Sequence, residues 1–235
     1  MKPEPPIEYK KGYVKFLNCK IDLRNRVFIP RIETEFWVKK AIKELKSLND
    51  EGKNKGANKG AKLLKVLDTF AGSGCIGISI LKNVKNSLVD FVDIDQKAIS
   101  QIKINLKLNF PSRLAIAKRY KIYKSNLFEK LKGKRYHFIF ANPPYVARER
   151  IGEVQNSVLT YEPKRAILAG KKGLFYIKRF LKTTKNFLKE SGVIYMEFDP
   201  QQKDEIKKIL EEFGYQKFKF LKDQFQRYRW LKIEK

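Results

Sequence analysis

The sequence predicts an α/β fold, in which a parallel β-sheet carries helices on both faces. Short apolar runs alternate with segments of helical periodicity from Leu63 to the end of the chain, and such alternation is typical of parallel sheets. A glycine-rich turn joins the first apolar run to the first helical segment. The chain of 235 residues is 43% hydrophobic, which is sufficient for the core of one domain with small additions.

Two elements precede this alternation. Gly12 to Ile29 alternates loosely between apolar and polar residues, which predicts a short hairpin with Arg24-Asn25-Arg26 as its turn. A helix follows, because apolar residues recur at helical spacing at Val38, Ala41, Ile42 and Leu45.

The same patterns divide the chain. We expect residues 1–35 to form an N-terminal hairpin extension and residues 36–235 to form a single compact domain. Within that domain, residues 46–62 are rich in Lys, Gly and Asn and have no periodicity, which predicts an exposed mobile loop.

The remaining elements follow in order from the apolar pattern. The predicted strands are Leu63–Thr69, Leu88–Ile94, Tyr136–Ala141, Val193–Phe198, Tyr215–Phe220 and Tyr228–Ile233. The predicted helices carry the apolar positions Ile76–Leu81; Ile99, Ile102 and Leu106; Ile177, Phe180, Leu181, Thr184 and Leu188; and Ile206, Ile209, Leu210 and Phe213. We expect Asp199 to cap the last of these helices, with Pro200 at its first position.

Composition excludes several classes of protein. Two cysteines, Cys19 and Cys75, and the single His137 are too few for a disulfide scaffold, a zinc ribbon or a histidine-rich metal site. His137 lies within an apolar run, so we expect a strand residue rather than a catalyst. No signal peptide or membrane-spanning run is apparent. We therefore expect a cytoplasmic protein with no membrane partner and no metal.

The charge is extreme. The 52 Lys and Arg residues outnumber the 25 Asp and Glu residues, for a net charge of +27. One interpretation is contact with a polyanion such as nucleic acid or the ribosome through a basic surface. The other is a general enrichment of lysine at solvated positions, because the basic residues form no single tract.

The glycine-rich turn is a candidate cofactor site. It comprises Phe70, Ala71, Gly72, Ser73 and Gly74, between the first strand and its helix. Glycines let the backbone approach a ligand closely, and the helix start offers free N–H groups. The next strand ends in Asp93, about 20 residues later, where a carboxylate can accept both ribose hydroxyls of a nucleoside. Together these features favour an adenosine-containing cofactor over a purely structural turn, without separating a nicotinamide dinucleotide from S-adenosylmethionine.

A second motif, Asn142-Pro143-Pro144-Tyr145, follows the strand Tyr136–Ala141. Its prolines end the strand and fix the loop. The Asn142 side-chain oxygen and the Pro143 carbonyl can then accept hydrogen bonds from one planar NH₂ group. These two hydrogen bonds favour a nucleophilic geometry at the nitrogen without any general base. Tyr145 offers a flat face to the planar group. The motif thus predicts methyl transfer to an amide or amino nitrogen.

The chain resembles the class I methyltransferases, and among them the release factor glutamine methyltransferase family. Two further stretches are more specific to that family than the Asn-Pro-Pro-Tyr motif, which nucleic-acid methyltransferases share. They are Phe28-Ile29-Pro30-Arg31-Ile32-Glu33-Thr34-Glu35 and the run from Tyr161-Glu162-Pro163 to Gly173-Leu174. The resemblance extends from about Gly12 to the end of the chain, and we expect no counterpart of the family's helical N-terminal domain before Pro30.

The resemblance implies a fold, a cofactor and a substrate. The fold would be a Rossmann-like, seven-stranded, mostly parallel sheet with one antiparallel strand near its edge. S-adenosylmethionine would bind Phe70 to Gly74 through its methionine part, Asp93 through its ribose, Asn126 and Leu127 through its adenine, and Asn142. Asn142, Pro143, Pro144 and Tyr145 would receive the glutamine of the Gly-Gly-Gln motif of a peptide chain release factor. Residues 36–235 would be the catalytic domain.

The chain departs from the family pattern in two site positions and leaves alternatives open. Phe70 replaces the first loop glycine, as in some nucleic-acid methyltransferases, and Asn126 stands where an aspartate usually faces the adenine. For Arg31, Glu33 and Glu35, the alternatives are a helix start with local ion pairs and the shaping of the cofactor and substrate mouth. For the whole protein, the alternatives are an adenine-N6 or guanine-N2 methyltransferase of nucleic acid and a non-enzymatic RNA-binding module.

Overall fold

The computed structural model describes residues 2–54, 63–112, 114 and 116–235. Its elements are α1 (Ile7–Lys11), β1 (Tyr13–Phe16), β2 (Cys19–Asp22), α2 (Ile32–Asn54), β3 (Leu64–Thr69), α3 (Cys75–Asn83), β4 (Ser87–Asp93), α4 (Gln96–Asn109), β5 (Tyr120–Lys124), β6 (Tyr136–Ala141), α5 (Asn156–Tyr161), α6 (Phe175–Thr184), β7 (Leu188–Glu197), α7 (Lys203–Glu212), β8 (Lys217–Lys222) and β9 (Tyr228–Glu234). Strands β3 to β9 form one sheet in the order β5-β4-β3-β6-β7-β9-β8. Only β9 runs against the others, since it is antiparallel to both β7 and β8. The Rossmann-like, seven-stranded, mostly parallel sheet is confirmed.

The strand order brings the candidate motifs to one edge of the sheet. Thr69 at the end of β3 pairs with Ala141 at the end of β6, and Ala141 pairs with Met196 of β7. Strands β3 and β4 also end together, which places Asp93 beside the turn that follows β3. Because the carboxyl ends of parallel strands meet at this edge, the loops after β3, β4 and β6 converge there.

Two apolar layers cover the sheet, and the N-terminal hairpin belongs to one of them. Phe16 and Ile21 of the hairpin are buried in the same cluster as α2, α3 and one face of β3. In this layer Trp37 of α2 stacks on Phe140 and Trp230, with ring centroids 6.1 and 6.3 Å away. Burial of a large side chain stabilises a fold by about 1.5–3 kcal/mol, so this indole fixes α2 against the sheet beside the ends of β6 and β7.

The predicted hairpin turn and the first part of the predicted loop over 46–62 differ from the structure. The hairpin turns at Leu17 and Asn18, between β1 and β2, and not at Arg24-Asn25-Arg26. Leu17 is left-handed (φ 50°), and its N–H donates to the Glu35 carboxylate at 2.6 Å, a distant contact that sequence pattern does not reveal. The loop predicted over 46–62 is wrong in its first part, because α2 continues to Asn54. The remaining residues of that segment, 55–62, lie outside the described residues.

Three further features differ from expectation: one helix end, one strand and one helix cap. Leu188 shares the apolar spacing of α6 but begins β7, because a 3₁₀ turn over Lys185–Phe187 ends the helix. Strand β5 was not predicted, since its five residues alternate with lysines at an exposed edge of the sheet. Asp199 does act as an N-cap, with its carboxylate accepting from the Gln201 N–H, but it caps a 3₁₀ turn that leads into α7. No helix within the described ranges is long and apolar enough to cross a membrane.

Candidate active site

A cavity of about 660 Å³ opens at the carboxyl edge of the sheet. This volume is typical of sites for small molecules and cofactors. All but one of the candidate residues line it: Phe70, Ala71, Gly72, Ser73, Asp93, Asn126, Leu127, Asn142, Pro143, Pro144 and Tyr145. The exception is Gly74, which lies behind the lining at the start of α3. A Cβ there would lie 3.1 Å from Ile102, so close packing explains this glycine better than ligand contact.

The loop after β3 is held in an unusual backbone conformation. Phe70, Gly72 and Gly74 all have positive φ, at 53°, 54° and 78°. This conformation strains a residue with a Cβ, and Phe70 is held there by ring contacts to Tyr176 and Phe180, at 6.2 and 6.1 Å. The side chain that replaces the family's glycine therefore anchors the loop to α6.

Asp93 has two roles at the cavity. Its Oδ2 accepts from the Gly72 N–H and its Oδ1 from the Asp95 N–H, each at 2.8 Å. The carboxylate thus ties β4 to the glycine loop, and each oxygen retains a lone pair for a ligand hydroxyl. Burial raises the pKa of Asp93, and the backbone N–H groups oppose that shift.

Asn126 and Leu127 follow β5 and line the cavity beside Asp93. Asn126 Nδ2 donates to the Glu129 carboxylate at 2.6 Å, which leaves its Oδ1 as an acceptor. An acceptor is what an adenine amino group requires. Leu127 has a left-handed backbone (φ 51°) that turns this loop across the cavity wall.

Asp68 is a fully buried acid at the end of β3. Its Oδ2 accepts from the Gly77 N–H of α3 at 2.9 Å, and its Oδ1 has no hydrogen-bond partner among the described residues. Burial raises the pKa of Asp68 well above its ordinary value, and the nearby Asp93 charge adds to that shift. The Asp68 carboxyl group therefore joins the end of β3 to α3.

A buried hydrogen-bond network holds the side chains of Asn142 and Tyr145. Asn142 Nδ2 donates to Thr34 Oγ1 at 3.2 Å, and the Thr34 hydroxyl donates to Glu197 Oε2 at 2.6 Å. The Trp37 indole N–H donates to the same Oε2 at 2.7 Å. The Tyr145 hydroxyl donates to Glu197 Oε1 at 3.2 Å. One carboxylate at the end of β7 therefore joins both polar side chains of the Asn-Pro-Pro-Tyr motif to the start of α2.

Gln202, directly before α7, and the segment that leads into α6 both contact the backbone of this motif. Gln202 Nε2 donates to the carbonyl oxygens of Tyr145 and Lys172, both at 2.9 Å. Gly173 packs so closely that an added Cβ would lie 2.0 Å from the Tyr145 carbonyl oxygen. Val146 pairs with Leu168 as an isolated parallel bridge. The run from Tyr161 to Leu174 therefore closes directly over the motif.

The charged residues around Thr34 make long-range contacts. Arg31 lines the cavity and forms an ion pair with Glu162, whose other oxygen accepts from the Ile29 N–H at 3.1 Å. Glu33 pairs with Arg227 at 3.1 Å, and Glu35 accepts from Leu17. These pairs are not local to the helix start. They join the start of α2 and the residues before it to the C-terminal end of α5, to the β8–β9 turn and to the hairpin.

Sequence reasoning missed Glu197, Trp37 and Gln202 as contributors to the site. Glu197 left a detectable signal, because it is an acid at the carboxyl end of the apolar run Val193-Ile194-Tyr195-Met196. Glu197 is 1% exposed, and a buried carboxylate in such a position needs partners. Trp37 and Gln202 left no such signal, because their partners lie on distant elements.

Comparison with known proteins finds methyltransferases. The family model described as the methyltransferase small domain matches residues 57–162. A release factor glutamine methyltransferase of Clostridium botulinum is 32% identical over 237 residues, which cover 100% of this chain and 77% of that protein. A bifunctional methyltransferase of Rickettsia conorii is also 32% identical, over 89% of this chain and 41% of that protein. Among solved structures, the hMettl16 catalytic domain in complex with MAT2A 3′UTR hairpin 6 matches 91% of this chain and 74% of its own, with a TM-score of 0.65. Its identity is 16%, so it shows a shared fold only.

The motifs quoted from the sequence resemble the same family that the whole-chain comparison finds. The relative from Clostridium botulinum is similar along the full length of this chain. The chain belongs to the release factor glutamine methyltransferase family.

Proposed function

We propose that the protein transfers a methyl group from S-adenosylmethionine to the side-chain amide nitrogen of the glutamine in the Gly-Gly-Gln motif of a peptide chain release factor. The observation that carries this proposal is Asn142 at the cavity wall, with its Nδ2 already bonded to Thr34. Its Oδ1 is then left to accept from an incoming NH₂ group. The family supports glutamine as the residue that carries this NH₂ group.

The residues at the cofactor end fit S-adenosylmethionine. Asp93 presents a carboxylate with spare lone pairs for the ribose hydroxyls, and Asn126 presents an oxygen for the adenine amino group. The loop from Phe70 to Ser73, with positive φ at Phe70 and Gly72, lines the cavity beside them for the methionine part. When bound, the cofactor supplies a methyl group on a sulfonium centre.

The acceptor end consists of Asn142 Oδ1 and the Pro143 carbonyl, which would hold the two hydrogens of the amide. An amide nitrogen is a poor nucleophile because its lone pair is delocalised into the carbonyl. Holding both hydrogens favours the pyramidal form and aims the lone pair, and preorganised positioning of this type is worth several kcal/mol of a barrier. Burial raises the pKa of Tyr145, so its hydroxyl stays neutral and keeps donating to Glu197 while the ring lines the site.

The cofactor assignment is tested by Asp93→Ala. We expect this change to weaken S-adenosylmethionine binding by at least about 10-fold, because it removes a charge-assisted hydrogen-bond acceptor and releases the Gly72 N–H. Titration calorimetry on the purified protein measures the affinity directly. Unchanged affinity would remove Asp93 from the cofactor site.

The substrate is tested by offering labelled S-adenosylmethionine with a purified release factor and, in parallel, with total RNA and DNA. We expect label on the release factor, at the loop glutamine located by peptide mass, and no label on its Gln→Ala variant. Label on nucleic acid alone would assign the chain to base methylation instead, with the fold and cofactor site unchanged.

A further inference from the structure

We infer that Thr34 and Glu197 are positioning residues that fix the amide of Asn142, so that its oxygen and not its NH₂ group faces the methyl acceptor. This inference rests on the proposed function, because it assigns the groups that prepare Asn142 for an NH₂ substrate. Neither side chain needs to touch the cofactor. Both are buried, with 1% exposure each.

The direction of the hydrogen bonds follows from the donors. An indole N–H can only donate, so Glu197 Oε2, at 2.7 Å from Trp37 Nε1, must act as an acceptor. Thr34 Oγ1 lies 2.6 Å from the same oxygen and donates its single hydroxyl proton to it. The Thr34 oxygen has no proton left and can only accept from its other neighbour.

That neighbour is the amide of Asn142, 3.2 Å from Thr34 Oγ1. Only the Nδ2 end of the amide can donate to an oxygen that has already used its proton. If the amide were reversed, Oδ1 would face Thr34 Oγ1 with no hydrogen between them. The orientation of Asn142 thus depends on Thr34, and the polarity of Thr34 depends on Glu197.

The consequence concerns the type of substrate that Asn142 accepts. With Nδ2 occupied, the free oxygen selects a group that donates hydrogen, such as the NH₂ of an amide. With the amide reversed, Asn142 would present its own NH₂ group and repel the substrate's. A free amide in solution has no such preference, so the buried network, and not the motif alone, determines it.

The first experiment examines the amide without any substrate. In ¹⁵N-labelled protein, the side-chain NH₂ signals of Asn142 are assigned by their absence from the Asn142→Ala spectrum. In Thr34→Val, a methyl group replaces the hydroxyl at similar volume. We expect the bonded Asn142 proton to exchange with water about 10-fold faster, as for the loss of one hydrogen bond. Unchanged exchange and chemical shift in Thr34→Val would overturn the inference.

The second experiment measures turnover on the acceptor proposed above. Thr34→Val should lower kcat by about 10-fold and leave S-adenosylmethionine affinity unchanged, whereas Thr34→Ser, which keeps the hydroxyl, should restore both kcat and the Asn142 signal. Thr184→Val is the matched control, because Thr184 is also fully buried and its hydroxyl donates within α6 to the Phe180 carbonyl. Failure of Thr34→Ser to restore turnover would assign the effect to packing and overturn the inference.

Glu197→Gln removes the negative charge of this side chain but keeps an oxygen that accepts hydrogen bonds. Its amide oxygen can still accept from Trp37 and Thr34, and its NH₂ can face the Tyr145 hydroxyl oxygen. We expect the Asn142 signals to persist in this variant, and their loss would contradict the assigned polarity. If wild-type protein does not methylate any release factor, the proposed function fails, while the spectra of the three variants still decide whether Thr34 and Glu197 orient Asn142.

Discussion

Single side chains at the cavity have little freedom, because most of their polar atoms already have protein partners. Asp93 uses one lone pair of each oxygen on a backbone N–H, and Asn142 uses its NH₂ group on Thr34. What remains available to a ligand is the opposite side of each group. Substitution of one such residue should therefore change chemistry or affinity in a specific way, with little effect on the rest of the site.

Asn142→Ala should reduce methyl transfer far more than it reduces cofactor affinity. The variant loses the oxygen that accepts from the substrate NH₂ group, and removal of one preorganised hydrogen-bonding group at a reacting centre costs about 10²–10³ in kcat. Single-turnover transfer from labelled S-adenosylmethionine measures the first effect and titration calorimetry the second. Full activity in this variant would show that the assigned mechanism is wrong.

Asp68→Asn should alter the pH dependence of stability. Burial raises the pKa of Asp68 above its ordinary value of 3.8. The stability linked to Asp68 is therefore fully present below that value and is lost as the pH rises through the raised pKa of the folded state. The variant lacks this loss, so from pH 4 upwards its stability relative to wild type should rise, by up to about 1.4 kcal/mol per pH unit. Urea unfolding of both proteins at pH 5 and pH 7 measures the change, and a constant difference would contradict it.

The segments that flank the sheet edge matter through their backbones more than through their side chains. Strands β6 and β7 end side by side, and the run before α6 then packs over the loop that leaves β6. Gly173 (φ 68°) lies in direct contact with the Tyr145 carbonyl group, where no Cβ fits. This contact explains in physical terms why a glycine follows the Glu-Pro segment of the sequence.

Gly173→Ala should reduce turnover more than about 10-fold, because a Cβ 2.0 Å from the Tyr145 carbonyl oxygen forces the acceptor loop to move. Gly133→Ala is the matched control, since Gly133 has a similar φ of 78° with no atom within 4 Å of the added Cβ. Both variants should lose stability from backbone strain, measured as a lower Tm. Equal activity of the two variants would contradict the proposed contact.

The molecule as a whole carries a net charge of +27. Its described ion pairs, such as Lys134–Asp90 at 2.8 Å, leave this excess unchanged, because each pair joins one basic and one acidic residue. A large excess of one sign destabilises a compact state through self-repulsion, and salt screens that repulsion over about 10 Å at 0.1 M.

The Tm should therefore rise as sodium chloride is increased from about 0.05 to 0.5 M, where the screening length shortens several-fold. Thermal unfolding followed by circular dichroism at fixed pH measures the shift, with cofactor absent so that binding does not contribute. A Tm that falls with salt would show instead that ion pairs such as Arg31–Glu162 and Arg227–Glu33 outweigh the general repulsion.

The order of the main strands and helices along the chain, the family resemblance and the candidate motifs were all predictable from the amino-acid sequence. These features are local: a strand with the run from Tyr136 to Ala141 and a turn with Gly72 can each be recognised without knowledge of distant residues. The position of the hairpin turn, the place of β5 and the residues that support the site became visible only in the folded chain. Leu17 is held by Glu35, and Asn142 is joined through Thr34 to Glu197, 163 residues further along the chain than Thr34. Sequence periodicity reports burial within one element. These contacts depend instead on which elements lie side by side in the fold, so only folding brings the residues together.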